Sequence, residues 1–401
     1  MIPLEEAQAR VLDACSPLRP TAVPLGEALG LVTSVPLVAE EALPPFANTA
    51  MDGFAVRAAD TPGTLTVVGT LAAGSSPDVK VGEGEAVRIM TGAPIPPGAD
   101  AVVMVERTSA AEDGATVVVH HAATPGEHVR EAGDDIAAGQ EVFPAFTELH
   151  AAHLGVLAGL GFRRVPVFSR ARVGVLSTGS ELVDEPRPLR PGEIRDANRS
   201  TLLALVRESG CIPVDLGIVR DEPDDLRAAF RRGVEQCDAV VTSGGVSVGD
   251  FDYVKVVLDE LSGGTVQWMQ VAIKPAKPFA FGVVDGTPVF GLPGNPVSSL
   301  VGFELFARPA LRRITGHRIL ERPHVRAVAD DGLPRRPDGK LHLVRVAAAF
   351  GDDGRVHVRS AGAQGSHQLW ATAAADAIAY VPDGDGIPAG GLARTMLLRQ
   401  P

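Results

Sequence analysis

The sequence predicts a multidomain α/β protein: a central parallel-sheet α/β domain flanked by a small β domain and a C-terminal β-barrel-like domain. Three observations predict it. From about residue 170 to residue 314, apolar β-branched runs alternate with helical patterns, the signature of strand–helix–strand units. On both sides of that stretch, short alternating runs are separated by Gly and Pro turns, as in β domains. A chain of 401 residues also exceeds what one compact core usually holds.

In chain order, residues 4–15 have the spacing of an amphipathic helix. Beyond a loop-like PPFANTAMDGFAVRAAD, alternating runs near 64–70, 79–89, 101–106 and 115–120 predict short strands. Residues 147–161 predict a helix ended by Gly161, and Arg172–Leu176 a strand opening into Ser177-Thr178-Gly179-Ser180-Glu181. A helix is expected over Asn198–Ser209, a strand over Pro213–Val219, and a further helix with Pro223 in its first turn. Asp238–Thr242 reads as a buried strand and Asp252–Leu261 as a helix. Asp285-Gly286 between two apolar runs signals a hairpin, and Pro296–Ile314 a long closing helix. After about residue 320, the runs HVRAVAD, KLHLVRVAAAF, RVHVRSA and AIAYVPDG predict a β domain. The resulting division is a helical and linker domain of 1–44 plus 140–168, a small β domain of 45–139, an α/β domain of 169–318 and a C-terminal β domain of 319–401.

Composition narrows the function classes. A net charge of −12 argues against broad nucleic-acid binding and against adhesion to anionic membranes. No apolar run approaches the roughly 20 residues that span a bilayer. The acidic, helical N-terminus does not resemble a secretion signal. Cys15, Cys211 and Cys237 form no CxxC pair, which fits a reduced, cytoplasmic protein.

The chemistry concentrates in three polar, glycine-rich loops: STGSE (177–181), SGGVSVGD (243–250) and LPGNPVSS (292–299). Each follows a strand of the same predicted sheet, and open α/β sheets bind ligands at the carboxyl ends of their strands. Thr178, Gly179, Ser243, Gly244, Gly245, Ser247, Pro293, Gly294, Asn295 and Pro296 are therefore candidate ligand contacts. None of the loops matches the P-loop or the GxGxxG fingerprint. Strand, glycine turn and helix N-terminus together favour an anion. Acids at the same edge make sense if a cation is also held, so the pattern suggests a phosphorylated or oxyanion substrate bridged by a divalent metal. Glu181 and Asp252, each just beyond a glycine turn, are metal candidates. Asp221 is either a third or the N-cap of the following helix, and Asp250 reads as a cap. Lys274 and Lys277, set among prolines, suit oxyanion contact or simply face solvent. Asp52 and Thr91 are turn residues as far as spacing alone can tell.

Taken together, these pieces resemble the molybdopterin molybdenumtransferase family, MoeA in bacteria and the E domain of gephyrin. The matching segments run through nearly the whole chain: PPFANTAMDGFAV (44–56), RIMTGAPIPPGADAVVMVE (88–106), GEHVREAGDDI (126–136), VLSTGSEL (175–182), GEIRDANRSTLLALV (192–206), DAVVTSGGVSVGDFDYVK (238–255), VAIKPAKPFAFG (271–282), GLPGNPVSSLVGFELF (291–306) and GAQGSH (362–367). The resemblance implies a cytoplasmic, Mg2+-dependent transfer of molybdate to adenylylated molybdopterin with release of AMP. It implies a metal site at Glu181, Asp221 and Asp252, basic partners Lys274 and Lys277, and C-terminal residues Arg345 and Ser366 bordering the cleft. It further implies a homodimer in which Asp52 and Thr91 reach the partner's site, and contact with the preceding adenylyltransferase and with molybdoenzymes. Ala47, Phe54, Gln270 and Glu131 depart from the family pattern, replacing an acid, a tyrosine and two basic residues. A non-catalytic molybdopterin-binding scaffold of the same fold is the alternative. The adenylyltransferase itself is disfavoured because its fold resembles only about 170–318. Molybdate and tungstate share shape and charge, so the sequence does not choose between them.

Overall fold

The computed structural model describes residues 1–245 and 253–400. They form two compact units: Met1–Thr21, Gly30–Ser34 and Pro166–Pro401 in one, Ala22–Leu29 and Val35–Val165 in the other.

The larger unit is built on a six-stranded sheet. Its strands are β1 (Arg172–Thr178), β2 (Ile212–Val219), β3 (Ala239–Ser243), β4 (Gln267–Gln270), β5 (Pro278–Val284) and β6 (Thr287–Leu292), in spatial order 2-1-3-6-5-4. Strands β2, β1, β3 and β6 are parallel, and β5 and β4 add antiparallel at one edge. The order reverses between β1 and β3, which makes that point the crevice of a doubly wound sheet. β1, β3 and β6 are almost wholly buried, as expected of strands covered on both faces. The β5–β6 hairpin turns through Asp285 and Gly286, both with positive φ, as the Asp-Gly signal requires.

Helices α1 (Ala197–Glu208), α2 (Pro223–Gln236), α3 (Tyr253–Leu261) and α4 (296–314) cover the sheet. Asp196 caps α1, accepting from the Arg199 N–H at 3.0 Å. α2 begins with Pro223 after Glu222, with no side-chain cap. Asp221 therefore lies one residue before the cap position. The N-terminal helix Leu4–Asp13 buries Leu4, Ala7 and Val11 in the same core as the sheet. Residues 296–314 are helical throughout, as the sequence predicts, but Phe303–Ala307 form a π-helical turn. There Glu304, buried among apolar neighbours, meets Arg308 Nε at 2.6 Å and Arg322 Nε at 2.8 Å. Arg322 also holds Glu208 at 2.7 Å and the Leu398 carbonyl at 2.6 Å, joining the sheet's helices to the chain that leads into the C-terminal strands.

Those strands close on themselves. Leu341–Phe350, Val356–Ser360, His324–Ala329, Gly391–Leu397 and Ala377–Val381 form a five-stranded ring, completed by pairing of the first with the last. Its interior is filled by small residues such as Ala327, Ala329, Ala377 and Ala393 with Val346 and Val358.

The smaller unit carries a six-stranded, mostly antiparallel sheet. Gly53 pairs with Ile89 and Met104 there, and a Cβ at Gly53 would sit 2.0 Å from the Val103 carbonyl oxygen. Only glycine permits that approach. The helix expected over 147–161 is shorter, Ala151–Gly159. Gly161 follows it at φ +78°, in the left-handed region suited to glycine after a helix end.

Removing the Glu304 carboxylate takes from the buried Arg308 its close countercharge and leaves only Glu208 at 3.8 Å. Glu304→Ala is expected to lower unfolding free energy by about 3–5 kcal/mol. Urea titration checks this, and a loss below about 1 kcal/mol would show that the cluster is not a structural support.

Candidate functional site

A cleft of about 660 Å³ opens where β1, β3 and β6 end. Thr178 and Gly179 line it from β1, Ser243, Gly244 and Gly245 from β3, and Pro293, Gly294, Asn295 and Pro296 from β6. The three glycine loops of the sequence thus meet at the switch point of the sheet. Gly244 has φ +100°, and a Cβ there would lie 2.5 Å from the Thr178 carbonyl oxygen. Any side chain at Gly244 would both strain the backbone and close the floor of the cleft. Among the described residues Thr178 Oγ1 is buried without a protein partner, a hydroxyl available to a ligand.

Glu181 and Asp221 also line the cleft. Because α2 starts at Pro223 behind Glu222, Asp221 is not the cap of that helix, and its carboxyl accepts instead from the Ser180 N–H. Burial, reinforced by the neighbouring Glu181 carboxylate, holds Asp221 above the ordinary aspartate range against that hydrogen bond. Among the described residues neither acid forms an ion pair. Arg195, which also lines the cleft, is engaged with the backbone carbonyls of Glu185 and Arg187. Two hard oxygen donors without a cationic partner, one of them disfavoured as an anion, fit a divalent cation such as magnesium. Among the described residues no group of three His, Cys, Asp or Glu assembles as an all-protein cage. Magnesium does not need one, since it keeps water and phosphate oxygens. Asp250, Asp252 and Ser247 lie outside the described residues.

Several lining residues were not singled out from the sequence. Asn198 donates from Nδ2 to Ser243 Oγ and to the Gly294 carbonyl, each at 2.7 Å. Leu182 and Ile194, on a two-residue parallel ladder, give the cleft an apolar wall, and His367 and Leu369 complete it from the C-terminal segment. The only available signal was the DAN run before the predicted helix, which reads as an ordinary cap.

The other expected residues are distributed differently. Lys274 pairs in register with His342 and lines a separate cavity of about 550 Å³ with Ser360, Gln364 and Gly365. Lys277 is exposed, and Pro278 rather than Lys277 borders the first cleft. Arg345 does not face either cavity as a free cation. It is 1% exposed, and its guanidinium donates to the carbonyls of Ala363, Gly365 and Gln368 and to Thr372 Oγ1. Arg345 holds the GAQGSH segment from beneath. Ser366 contributes its carbonyl, which accepts from the Val297 N–H at 3.1 Å in the first turn of α4.

In the smaller unit, the Gly53–Ile89 pairing brings the residues flanking it together. The backbone N–H and hydroxyl of Thr91 both donate to Asp52 Oδ1 at 2.7 Å. Those bonds, with a smaller contribution from Arg88, hold the fully exposed Asp52 carboxyl below the ordinary aspartate range. Phe54 is buried with Arg88 over its ring at 5.9 Å.

A doubly wound α/β body with a polar, acid-bearing cleft at its switch point defines a small-molecule binding domain. A probable molybdopterin binding domain matches residues 174–313, the MoeA N-terminal region (domains I and II) matches 2–161, and the MoeA C-terminal region (domain IV) matches 326–398. A molybdopterin molybdenumtransferase of Haemophilus influenzae is 38% identical over 92% of this chain and 91% of its own length. Molybdopterin molybdenumtransferase 2 of Mycobacterium tuberculosis is 40% identical over 95% of each. The crystal structure of a molybdopterin biosynthesis MoeA protein from Pyrococcus horikosii superposes with a TM-score of 0.86 at 30% identity, covering 100% of both chains. The chain belongs to the MoeA, or molybdopterin molybdenumtransferase, family.

Asp52 stays ionised at pH values where an unrestrained aspartate is already protonated. Thr91→Ala should therefore move its titration upward, toward the ordinary value, as followed by carboxyl-carbon NMR. An unmoved titration would show that Thr91 does not set the charge state of Asp52.

Proposed function

We propose that the protein inserts molybdate into adenylylated molybdopterin and releases AMP, completing the molybdenum cofactor. The observation that carries this reading is the unpaired Glu181–Asp221 pair in a glycine-walled cleft, in a chain whose relatives at 33–40% identity are named molybdopterin molybdenumtransferase. The Gly245 amide and the Thr178 hydroxyl bind phosphate oxygens of the substrate, while the Gly244 N–H, donating to the Leu292 carbonyl at 3.0 Å, holds the turn against β6. Glu181, Asp221 and Asp252 hold magnesium, which when bound supplies a Lewis acid for the pyrophosphate link. Leu182 and Ile194 pack against the ring system of the substrate and exclude water. Lys274 and Lys277 attract the oxyanion, and Arg345 keeps the segment around Ser366 in position beside Lys274. Asp52, fixed by Thr91, completes the site from a second copy of the chain, so the working unit is a homodimer. The enzyme works in the cytoplasm, between the adenylyltransferase that supplies its substrate and the molybdoenzymes that receive the cofactor.

The test combines adenylylated molybdopterin, magnesium and molybdate and follows AMP release. Wild-type protein should release AMP only with all three present, and chelation of magnesium should stop it. Asp221→Asn should reduce release by about 100-fold or more, the scale for an oriented charged group in a transition state, with an unchanged unfolding midpoint. Normal turnover by this variant would sink the assignment. The raised Asp221 titration also sets a pH dependence. Magnesium must displace the proton, so its apparent affinity should rise with pH through that titration and level off above it. Isothermal titration at several pH values checks this, and a flat profile would contradict it.

A further inference from the structure

The side chain of Asn198 touches two of the three glycine-bearing turns. Its Nδ2 donates one hydrogen to the Gly294 carbonyl after β6 and the other to Ser243 Oγ at the end of β3, both at 2.7 Å. The amide orientation is determined by its neighbours, because a carbonyl oxygen can only accept. Asn198 sits in the first turn of α1, whose cap Asp196 accepts from Ser177 Oγ at the end of β1 at 3.1 Å. One short segment therefore ties the carboxyl ends of β1, β3 and β6 to each other.

The bond to Ser243 has a chemical consequence. A serine hydroxyl has one proton and two lone pairs. With Asn198 occupying a lone pair, that proton remains to donate, and among the described residues no protein acceptor takes it. Ser243 is buried, at 2% exposure, yet borders the cleft. An aspartate at 198 would reverse the arrangement, drawing the Ser243 proton toward itself and setting a carboxylate oxygen against the Gly294 carbonyl.

We propose that Asn198 is a positioning residue for the proposed reaction: it orients the Ser243 hydroxyl as a donor to an anionic oxygen of the substrate and locks the turns after β3 and β6 together. This rests on the reading of the cleft as the molybdopterin site. Asn198 itself need not touch the substrate.

The experiment measures equilibrium binding of molybdopterin under anaerobic conditions by pterin fluorescence, for wild type, Asn198→Asp, Asn198→Ala, Ser243→Ala and the double variant Asn198→Asp/Ser243→Ala. Loss of a charge-assisted hydrogen bond predicts a Kd raised roughly 10-fold or more in Asn198→Asp, with a smaller rise in Asn198→Ala and unfolding midpoints close to wild type. Because Asn198 acts through Ser243, the Asp substitution should cost only about 2–3-fold more in the Ser243→Ala background. Unchanged binding in Asn198→Asp overturns the inference, as does an equal loss in both backgrounds or unfolding of both Asn198 variants. Wild-type protein that binds molybdopterin but releases no AMP removes the proposed reaction and leaves the role of Asn198 standing. Wild-type protein that binds no molybdopterin removes both.

Discussion

The buried carboxylate of Asp196 is the interaction on which the ligand face depends. Its side chain is 1% exposed, and its oxygens accept from the Arg199 N–H, the Arg199 Nε and the Ser177 hydroxyl. A buried carboxylate is costly unless fully hydrogen-bonded, so its position is narrowly determined. That single position starts α1, ties α1 to the end of β1 and anchors Arg199. Arg199 in turn reaches Asp215 on β2 at 2.7 Å and Asp184 beyond the STGSE turn. The glycine loops can be open and polar because the frame behind them is held by charge.

Electrostatics constrains what this cleft accepts. The chain carries 49 acids against 37 lysines and arginines, and the cleft exposes Glu181 and Asp221, which form no ion pair among the described residues, while Arg195 on its lining is engaged with backbone carbonyls. Backbone amides alone would bind phosphate against that field only weakly. A divalent cation, if held as proposed, would reverse the local sign and offer phosphate oxygens a positive centre. The raised titration of Asp221 comes first from its burial and then from the neighbouring Glu181 carboxylate.

Much of this was legible in the sequence because it rests on local chemistry. Strand–helix alternation, the Asp285-Gly286 hairpin and the glycine turns each follow from a few neighbouring residues, and they stand in the structure as far as the described residues reach, which for the second turn is Ser243–Gly245. What was not legible depends on distant pairing. The π turn at Phe303–Ala307 accompanies Glu304 meeting Arg322, a residue 18 positions away whose partnership no helical pattern shows. Asp221 was open as a cap because the residue opening a helix cannot be told from its predecessor when both are acids. Asn198 was invisible as a latch, since its partners lie 45 and 96 residues further along. Lys274 and Lys277 read as a pair, but a turn that sends one toward the C-terminal strands separates them.

Arg345 shows why a residue tied to function by its motif can serve without meeting a ligand. Four hydrogen bonds, from Nη1 to the Gln368 carbonyl and Thr372 Oγ1 and from Nη2 to the Ala363 and Gly365 carbonyls, bind one guanidinium to four points of a ten-residue stretch. Lysine, with three donors on a single atom, cannot span them. Burial without a carboxylate partner pulls Arg345 below the usual arginine range, yet arginine retains its charge. The stretch it organises lends Gln364 and Gly365 to the cavity beside Lys274, and His367 and Leu369 to the cleft beside Asp221. A fixed positive charge thus lies under the wall common to both cavities, oriented by carbonyl dipoles and shielded from water. It shapes that wall, and its field favours anions on either side without offering any of them a direct contact.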